Sequence, residues 1–271
     1  MRSEEGPERL IRSHLASMKP YAYVPPLESA TGESGVPTDR IIKLDGNENP
    51  YGCSPKVHEA LARFPYYHIY PDSEQHELRQ ALQDYTGAPA HTIIPGSGSD
   101  ELIEFVMRLF IDPGDSVINC VPTFGMYQFS TDACGGKVIA VPRDARFGLD
   151  IPAVARAARE GAKVIFVASP NNPTGNLASD EEVAALLALP IIVVLDEAYA
   201  EFSGRTLVPL VRQHDNLIVL RTFSKWAGLA GLRVGYGVFP ERIADLLLRI
   251  KPPYNVNAAA QVAALESLQD L

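Results

Sequence analysis

The apolar positions of this chain fall into short runs. Leu217–Leu220 reads LIVL, Pro190–Leu195 reads PIIVVL and Val164–Ala168 reads VIFVA; Ser116–Cys120, SVINC, is a fourth strand in which Asn119 interrupts the apolar residues. A brief apolar run closed by turn formers marks a strand buried on both faces, as in a parallel sheet covered by helices. Between His91 and Phe239 six or seven such runs alternate with helical periodicity, spaced for βαβ crossovers. Leu102, Ile103, Val106, Leu109 and Phe110 share one helical face, and Ser179-x-x-Glu182 is a capping box ahead of Val183, Leu186 and Leu187. The expected fold is α/β: a mostly parallel central sheet flanked by helices, in three αβα layers.

Outside that core, residues 1–40 read as an arm. It starts with a short helical pattern (Ile11, Leu15, Met18) and continues into a Pro/Gly/Ser-rich stretch from Pro25 to Pro37. Residues 56–64 and 74–86 look helical, the second ending at Gly87. The last fifteen residues, Asn257–Leu271, read as a helix with Val262, Leu265, Leu268 and Leu271 on one stripe. Internal repeats are absent.

The chemistry gathers where the apolar runs stop. After LIVL comes Arg221–Arg233, RTFSKWAGLAGLR, which places one of only seven lysines, Lys225, between a buried strand and a Gly-rich turn. A desolvated lysine amine is nucleophilic and can form a Schiff base with an aldehyde. Arg233 in the same loop suits a phosphate through its two-pronged fork. Gly228, Gly231, Gly235 and Gly237 leave room for something to approach the backbone closely. An aldehyde and a phosphate on one small molecule suggest pyridoxal 5′-phosphate.

Four further segments bear on that idea. PIIVVL discharges into Asp196-Glu197-Ala198-Tyr199. Ligands of a parallel sheet collect at strand carboxyl ends, so Asp196 is expected to hold a pyridine nitrogen protonated and Tyr199 to meet the phenolic oxygen. The rival reading, a Walker-B-like metal site, needs a GxxxxGK[ST] loop that the chain lacks. VIFVA ends in Ser169-Pro170-Asn171-Asn172-Pro173-Thr174-Gly175, a rigid turn in which one asparagine can donate to the ring's phenolic oxygen. Pro95–Glu101 (PGSGSDE) feeds a helix N-terminus, a ready phosphate cradle that by composition alone is also an ordinary helix cap. Pro122-Thr123-Phe124-Gly125-Met126-Tyr127 follows the fourth run; Phe124 can stack on a flat ring, although a buried Phe is more often core.

Taken together these segments resemble the fold-type I pyridoxal-phosphate-dependent aminotransferases, and within them the histidinol-phosphate aminotransferase group. The ordered motifs run nearly end to end: KPY at 19–21, KLDGNENPYG at 43–52, YPD at 70–72, GSDE at 98–101, PTFGMY at 122–127, SPNNPTG at 169–175, VVLDEAYAEF at 193–202, RTFSKWAGLAGLRVGYG at 221–237 and PYNV at 253–256. The resemblance implies pyridoxal 5′-phosphate as cofactor, with Lys225 as the Schiff-base and proton-shuttling lysine. It also implies Asp196 on the ring nitrogen, Asn172 and Tyr199 on the phenolic oxygen, and Phe124 stacked on the ring. Ser99, the backbone N–H of Asp100, Ser224 and Arg233 would hold the phosphate. Tyr70 would reach the phosphate in the neighbouring subunit of a homodimer, while Tyr21 would reach the neighbour's substrate and Asn172 would also face substrate.

The same resemblance implies transamination between L-histidinol phosphate and 2-oxoglutarate, giving imidazole-acetol phosphate and L-glutamate, in histidine biosynthesis. An aromatic amino acid aminotransferase, a phospho-amino-acid decarboxylase of the same fold and a non-catalytic cofactor-binding fragment are the alternatives. It divides the chain into an arm and small-domain segment (1–50), a cofactor-binding large domain (51–250) and the start of a linker helix (251–271). Family members continue past PYNV into a small C-terminal domain that supplies a substrate-binding arginine. No arginine follows Arg249 here, so the substrate clamp is expected to be half absent and the Val262 stripe exposed.

Composition narrows the setting. A net charge of −9 without basic clusters argues against nucleic acid or an anionic membrane as partner. At 271 residues and 46% hydrophobic content the chain can bury a full α/β core. Cys53, Cys120 and Cys134 are odd in number and lack C-x-x-C spacing, which suits free thiols in a reducing compartment. The N-terminus MRSEEGPERL lacks the apolar core of a signal peptide, and no stretch has the length of a membrane span. A cytoplasmic enzyme is the expectation.

Overall fold

Seven strands pair into one sheet in the order β1-β7-β6-β5-β4-β2-β3. They are β1 (Ile93–Gly96), β2 (Ser116–Val121), β3 (Lys137–Pro142), β4 (Ala162–Ala168), β5 (Ile192–Asp196), β6 (Leu217–Thr222) and β7 (Gly235–Val238). The structure is a computed structural model that describes residues 6–21 and 36–271. Most of the Pro-rich stretch read at 25–37 therefore lies outside the described residues. Five strands run parallel from β3 through β2, β4 and β5 to β6, whereas β7 pairs antiparallel with both β6 and β1.

The four apolar runs are the central strands, and their burial is two-sided. Successive side chains of a strand point to opposite faces. Val164, Phe166, Val194, Ile218 and Leu220 pack on one face beneath helices α4 (Gly98–Phe110), α5 (Met126–Ala133) and α9 (Glu241–Ile250). Ile165, Val167, Val193, Leu195, Leu217 and Val219 pack on the other, under α2 (Pro55–Arg63), α3 (His76–Thr86), α6 (Ile151–Arg159), α7 (Asp180–Leu187) and α10 (Ala258–Leu268). The expected three layers follow from this alternation. Short α1 (Ser13–Ala16) belongs to the arm, and α8 (Ala200–Ser203) is a single turn after β5.

Local signals set the helix ends. Ser179 and Glu182 form the reciprocal capping box at the start of α7, and Gly87 closes α3 in the left-handed region at φ 74°. In α10 the apolar stripe behaves differently from its sequence reading. The helix seats its small residues, Ala260, Ala263, Ala264 and Ser267, fully inward, which lets it approach α2 and α3 closely. Leu265 and Leu268 are half-buried against the core, so only Leu271 of the stripe stands clear in solvent.

Candidate active site

One rim of the sheet collects the polar residues. Parallel strands present all their carboxyl ends on the same side, so β5 delivers Asp196, β4 delivers Asn171 and Asn172, β6 delivers Ser224 and Lys225, and β2 delivers Thr123 and Phe124. The antiparallel β7 adds a residue the other way round. Its first residue, Gly235, pairs with Thr222 at the end of β6 and with Gly96 at the end of β1, so the chain entering β7 brings Arg233 to that same rim. The result is a cavity of about 500 Å³ lined by Lys225, Asp196, Tyr199, Asn172, Phe124, Ser99, Asp100, Ser224, Arg233 and Tyr21.

At its floor Asp196 is fully buried. Its carboxylate accepts the Tyr127 hydroxyl at 2.7 Å and the Ala198 N–H at 3.0 Å. Burial pushes its pKa up to about 6, partly opposed by those two donors. Across the cavity Lys225 Nζ donates to the Gly46 carbonyl at 2.9 Å and lies 5.8 Å from the centre of the Tyr199 ring. Burial holds the Lys225 pKa below the usual lysine value, although Glu48 and Asp100 pull it back. A lysine so desolvated has more neutral amine near neutral pH. Tyr199 accepts Asn47 Nδ2 at 3.0 Å, while burial raises its own pKa.

The end of the cavity beside α4 is built from backbone and fork together. Ser97, the N-cap of α4, makes no side-chain cap bond, so no capping side chain takes up the first N–H groups of this thirteen-residue helix, whose first-turn residues Ser99 and Asp100 line the cavity. Arg233 lies over them: Nη2 donates to Asp100 Oδ2 at 2.9 Å and Nη1 to Ser224 Oγ at 3.5 Å and the Ala230 carbonyl at 3.1 Å. Its backbone is left-handed at φ 53°, a conformation uncommon outside glycine that tends to persist where function over-determines it. A Cβ on Gly98 would sit 2.4 Å from Arg233 Nη2, and one on Gly235 would sit 2.7 Å from the Ser99 nitrogen. The cup exists only because both positions lack side chains. Elsewhere in the 221–237 segment, a Cβ on Gly237 would meet the Phe239 ring and one on Gly231 open space.

Phe124 is half-buried and meets Tyr127 edge-on with ring centres 5.6 Å apart; Tyr127 stacks on Phe166 at 4.9 Å. The asparagine pair divides its labour. Asn171 is buried and staples the loop to Thr123, Thr174, Arg143 and the Pro122 carbonyl, which leaves Asn172 on the cavity wall. Tyr21 sits on the wall of its own chain's cavity, edge-on to Phe129 and against Gly125, where the sequence reading had it serving a neighbour. Tyr70 is away from the cavity, 77% exposed and stacked on Tyr254 at 4.5 Å. Three participants escaped the sequence reading: Tyr127, Asn47 and Gly46. Each lay inside a quoted motif, and the three-residue step from Phe124 to Tyr127 was the available signal for the first.

The 39–271 segment matches the family model for aminotransferase class I and II. The chain belongs to that family. It is 51% identical to the histidinol-phosphate aminotransferase of Roseiflexus castenholzii over 97% of its own length and 72% of that protein's. It is 54% identical to the enzyme of the same name from Dehalococcoides mccartyi strain CBDB1, over 84% of this chain and 64% of that one. Among solved structures, histidinol-phosphate aminotransferase from Sinorhizobium meliloti in complex with pyridoxal-5′-phosphate superposes with a TM-score of 0.86 at 28% identity, covering 96% of this chain and 71% of that one. The chain thus spans 64% to 72% of the length of these curated relatives. Among the described residues, no helix is long and apolar enough to cross a membrane.

Proposed function

We propose that this chain carries the cofactor-binding machinery of a histidinol-phosphate aminotransferase, moving an amino group between L-histidinol phosphate and 2-oxoglutarate to give imidazole-acetol phosphate and L-glutamate. The observation that carries the reading is the meeting of Lys225, Asp196 and Arg233 on one cavity. The residues fit pyridoxal 5′-phosphate: a buried carboxylate for a ring nitrogen, a desolvated amine for an aldehyde, and a glycine-cleared helix N-terminus under a guanidinium for a phosphate.

When bound, the cofactor supplies a carbonyl with which an amine condenses and a ring that accepts the electrons of a broken Cα–H bond. The protein's own residues do the rest. Asp196, ionised opposite a cationic ring nitrogen, keeps that nitrogen protonated. Asn172 and Tyr199 grip the phenolic oxygen, Phe124 covers the ring face, and Ser99, the Asp100 N–H, Ser224 and Arg233 hold the phosphate. Lys225 Nζ, once its amine is free, would take the proton from the substrate's Cα and deliver it to the carbon on the far side of the substrate nitrogen, two bonds from Cα. Tyr21 and Asn172 face the substrate of the same chain. Tyr70, with no task at its own cavity, serves the phosphate in the partner of a two-fold homodimer. The free thiols Cys53, Cys120 and Cys134 suit a cytoplasmic setting.

Borohydride reduction of the protein loaded with pyridoxal phosphate, followed by peptide mapping, tests the assignment. The expected label is on Lys225, absent in Lys225→Ala, and single-turnover absorbance changes should appear with both L-glutamate and histidinol phosphate. Covalent label retained by Lys225→Ala would overturn the cofactor reading; a response to glutamate without one to histidinol phosphate would overturn the substrate.

A further inference from the structure

The exits of β5 and β6 carry the reactive groups, and one buried side chain ties them together. Arg221, on β6 four residues before Lys225, donates Nη1 to Glu197 Oε2 at 2.8 Å and Nη2 to Glu201 Oε1 at 2.6 Å. Glu197 directly follows Asp196, and Glu201 lies two residues beyond Tyr199. Further donors converge on the carboxylates: Leu207 N–H on Glu197 at 2.5 Å, Thr206 Oγ1 on Glu197 at 2.7 Å and the Tyr85 hydroxyl on Glu201 at 3.2 Å. Arg221 and Glu197 side chains are 6% and 2% exposed, and neither lines the cavity.

A buried ion pair is a weak stabiliser, because desolvation of its charges offsets their attraction. This one also leaves Arg221 Nε, Glu201 Oε2 and the nearby Tyr236 hydroxyl buried without a hydrogen-bond partner among the described residues. A core arranged for stability alone would do better with apolar groups. What the arginine does fix is geometry. Between its two grips lie Ala198, whose N–H holds Asp196, and Tyr199, whose ring centre lies 5.8 Å from Lys225 Nζ.

We propose that Arg221 is a positioning residue for the transamination: by gripping Glu197 and Glu201 on either side of Tyr199 it fixes the Tyr199 hydroxyl relative to Lys225 Nζ. The inference rests on the function proposed above. Lysine at this position would keep the charge but could span only one carboxylate, so Tyr199 would drift while the fold persists.

The test is a double-mutant cycle on the cofactor-loaded protein, with Arg221→Lys, Tyr199→Phe and the pair, repeated with Glu201→Gln in place of Arg221→Lys. It reads the pH midpoint of the bound cofactor's visible absorbance, and separately kcat and KM. The fluorescence of Trp226, the single tryptophan, stacked on Tyr85 at 5.9 Å, reports on the clamp in the cofactor-free protein. We expect Arg221→Lys and Glu201→Gln each to shift the midpoint by on the order of one pH unit and to lower kcat on the order of tenfold with KM little changed. Adding either to Tyr199→Phe should shift the midpoint little further, because the group being positioned is already gone. Shifts that add in full, or an unchanged midpoint in both clamp variants, would overturn the positioning role. A wild-type protein with no such absorbance band would instead overturn the function on which it rests.

Discussion

Tyr127 donates its hydroxyl to the Asp196 carboxylate at 2.7 Å, and both residues are wholly buried. The tyrosine's own pKa is pushed well up by burial and by the adjacent carboxylate, so it stays a donor throughout the working range. A carboxylate held by two donors in so dry a place is poised for a cation, and under the proposed function that cation is a protonated ring nitrogen.

The titration of Asp196 gives a stability signature with a definite sign. Its folded pKa, about 6, lies above the unfolded value of 3.8, so the native state binds the extra proton between them. Stability from this group is therefore fully present at low pH and is lost as pH rises through about 6. In cofactor-free protein, the unfolding free energy of wild type minus that of Asp196→Asn should fall by about 2 kcal/mol between pH 4 and pH 7, each pKa unit being worth about 1.4 kcal/mol and the unfolded carboxyl being already partly ionised at pH 4. Paired urea titrations at the two pH values measure it, and carboxylates common to both proteins cancel in the difference. A pH-independent difference would mean that Asp196 titrates normally.

Tyr127→Phe removes the donor and leaves Asp196 Oδ2 buried and unpaired. The expected loss is about 1–3 kcal/mol of stability at neutral pH, with less at pH 4 where the acid is protonated. Thermal unfolding of the variant at both pH values checks the direction. The larger deficit must appear at neutral pH.

Much of this site was legible because its placement follows from strand direction. Once LIVL, PIIVVL and VIFVA are buried parallel strands, Lys225, Asp196 and Asn172 must share a rim, whatever the loops do. Arg233 reached that rim through a reversal at β7 that no apolar run announces. Tyr127 was hidden because a tyrosine on an apolar helix face looks like core until its hydroxyl finds a partner. The Arg221 clamp was hidden for a related reason: residues 197, 201 and 221 meet only after two strands pair. Counting large apolar residues also misjudged α10, whose alanines decide its packing.

Gly228 marks where the 43–52 segment is pinned to the lysine loop. It has φ 65°, and a Cβ there would fall 2.2 Å from the Gly52 carbonyl oxygen. That contact holds in place the stretch from which Gly46 meets Lys225 and Asn47 meets Tyr199. Gly228→Ala should cost more than about 1 kcal/mol from the left-handed backbone alone, and should slow formation of the Lys225–cofactor linkage by displacing the segment. Stopped-flow absorbance on mixing with pyridoxal phosphate is the measurement. An unchanged rate would show that the segment is held elsewhere.

Arg233 separates stability from anion binding. Its ion pair with Asp100 is well exposed, 44% and 37%, and such a pair contributes at most about 1 kcal/mol. Against that, Arg233→Gly relieves a left-handed backbone while adding freedom to the unfolded chain, two effects of similar size and opposite sign. Unfolding stability should therefore stay within about 1 kcal/mol of wild type. Phosphate binding should not. Loss of a charge-assisted fork is worth about 1.5–3 kcal/mol, roughly a tenfold to hundredfold loss of pyridoxal phosphate affinity. Arg233→Lys should recover part of it, keeping the charge without the two-pronged geometry. Equilibrium titration of the cofactor-free proteins with pyridoxal phosphate and with phosphate-free pyridoxal distinguishes the cause. The three proteins should differ with the first ligand and converge with the second, and a variant that lost affinity for both alike would place Arg233 outside the phosphate cup.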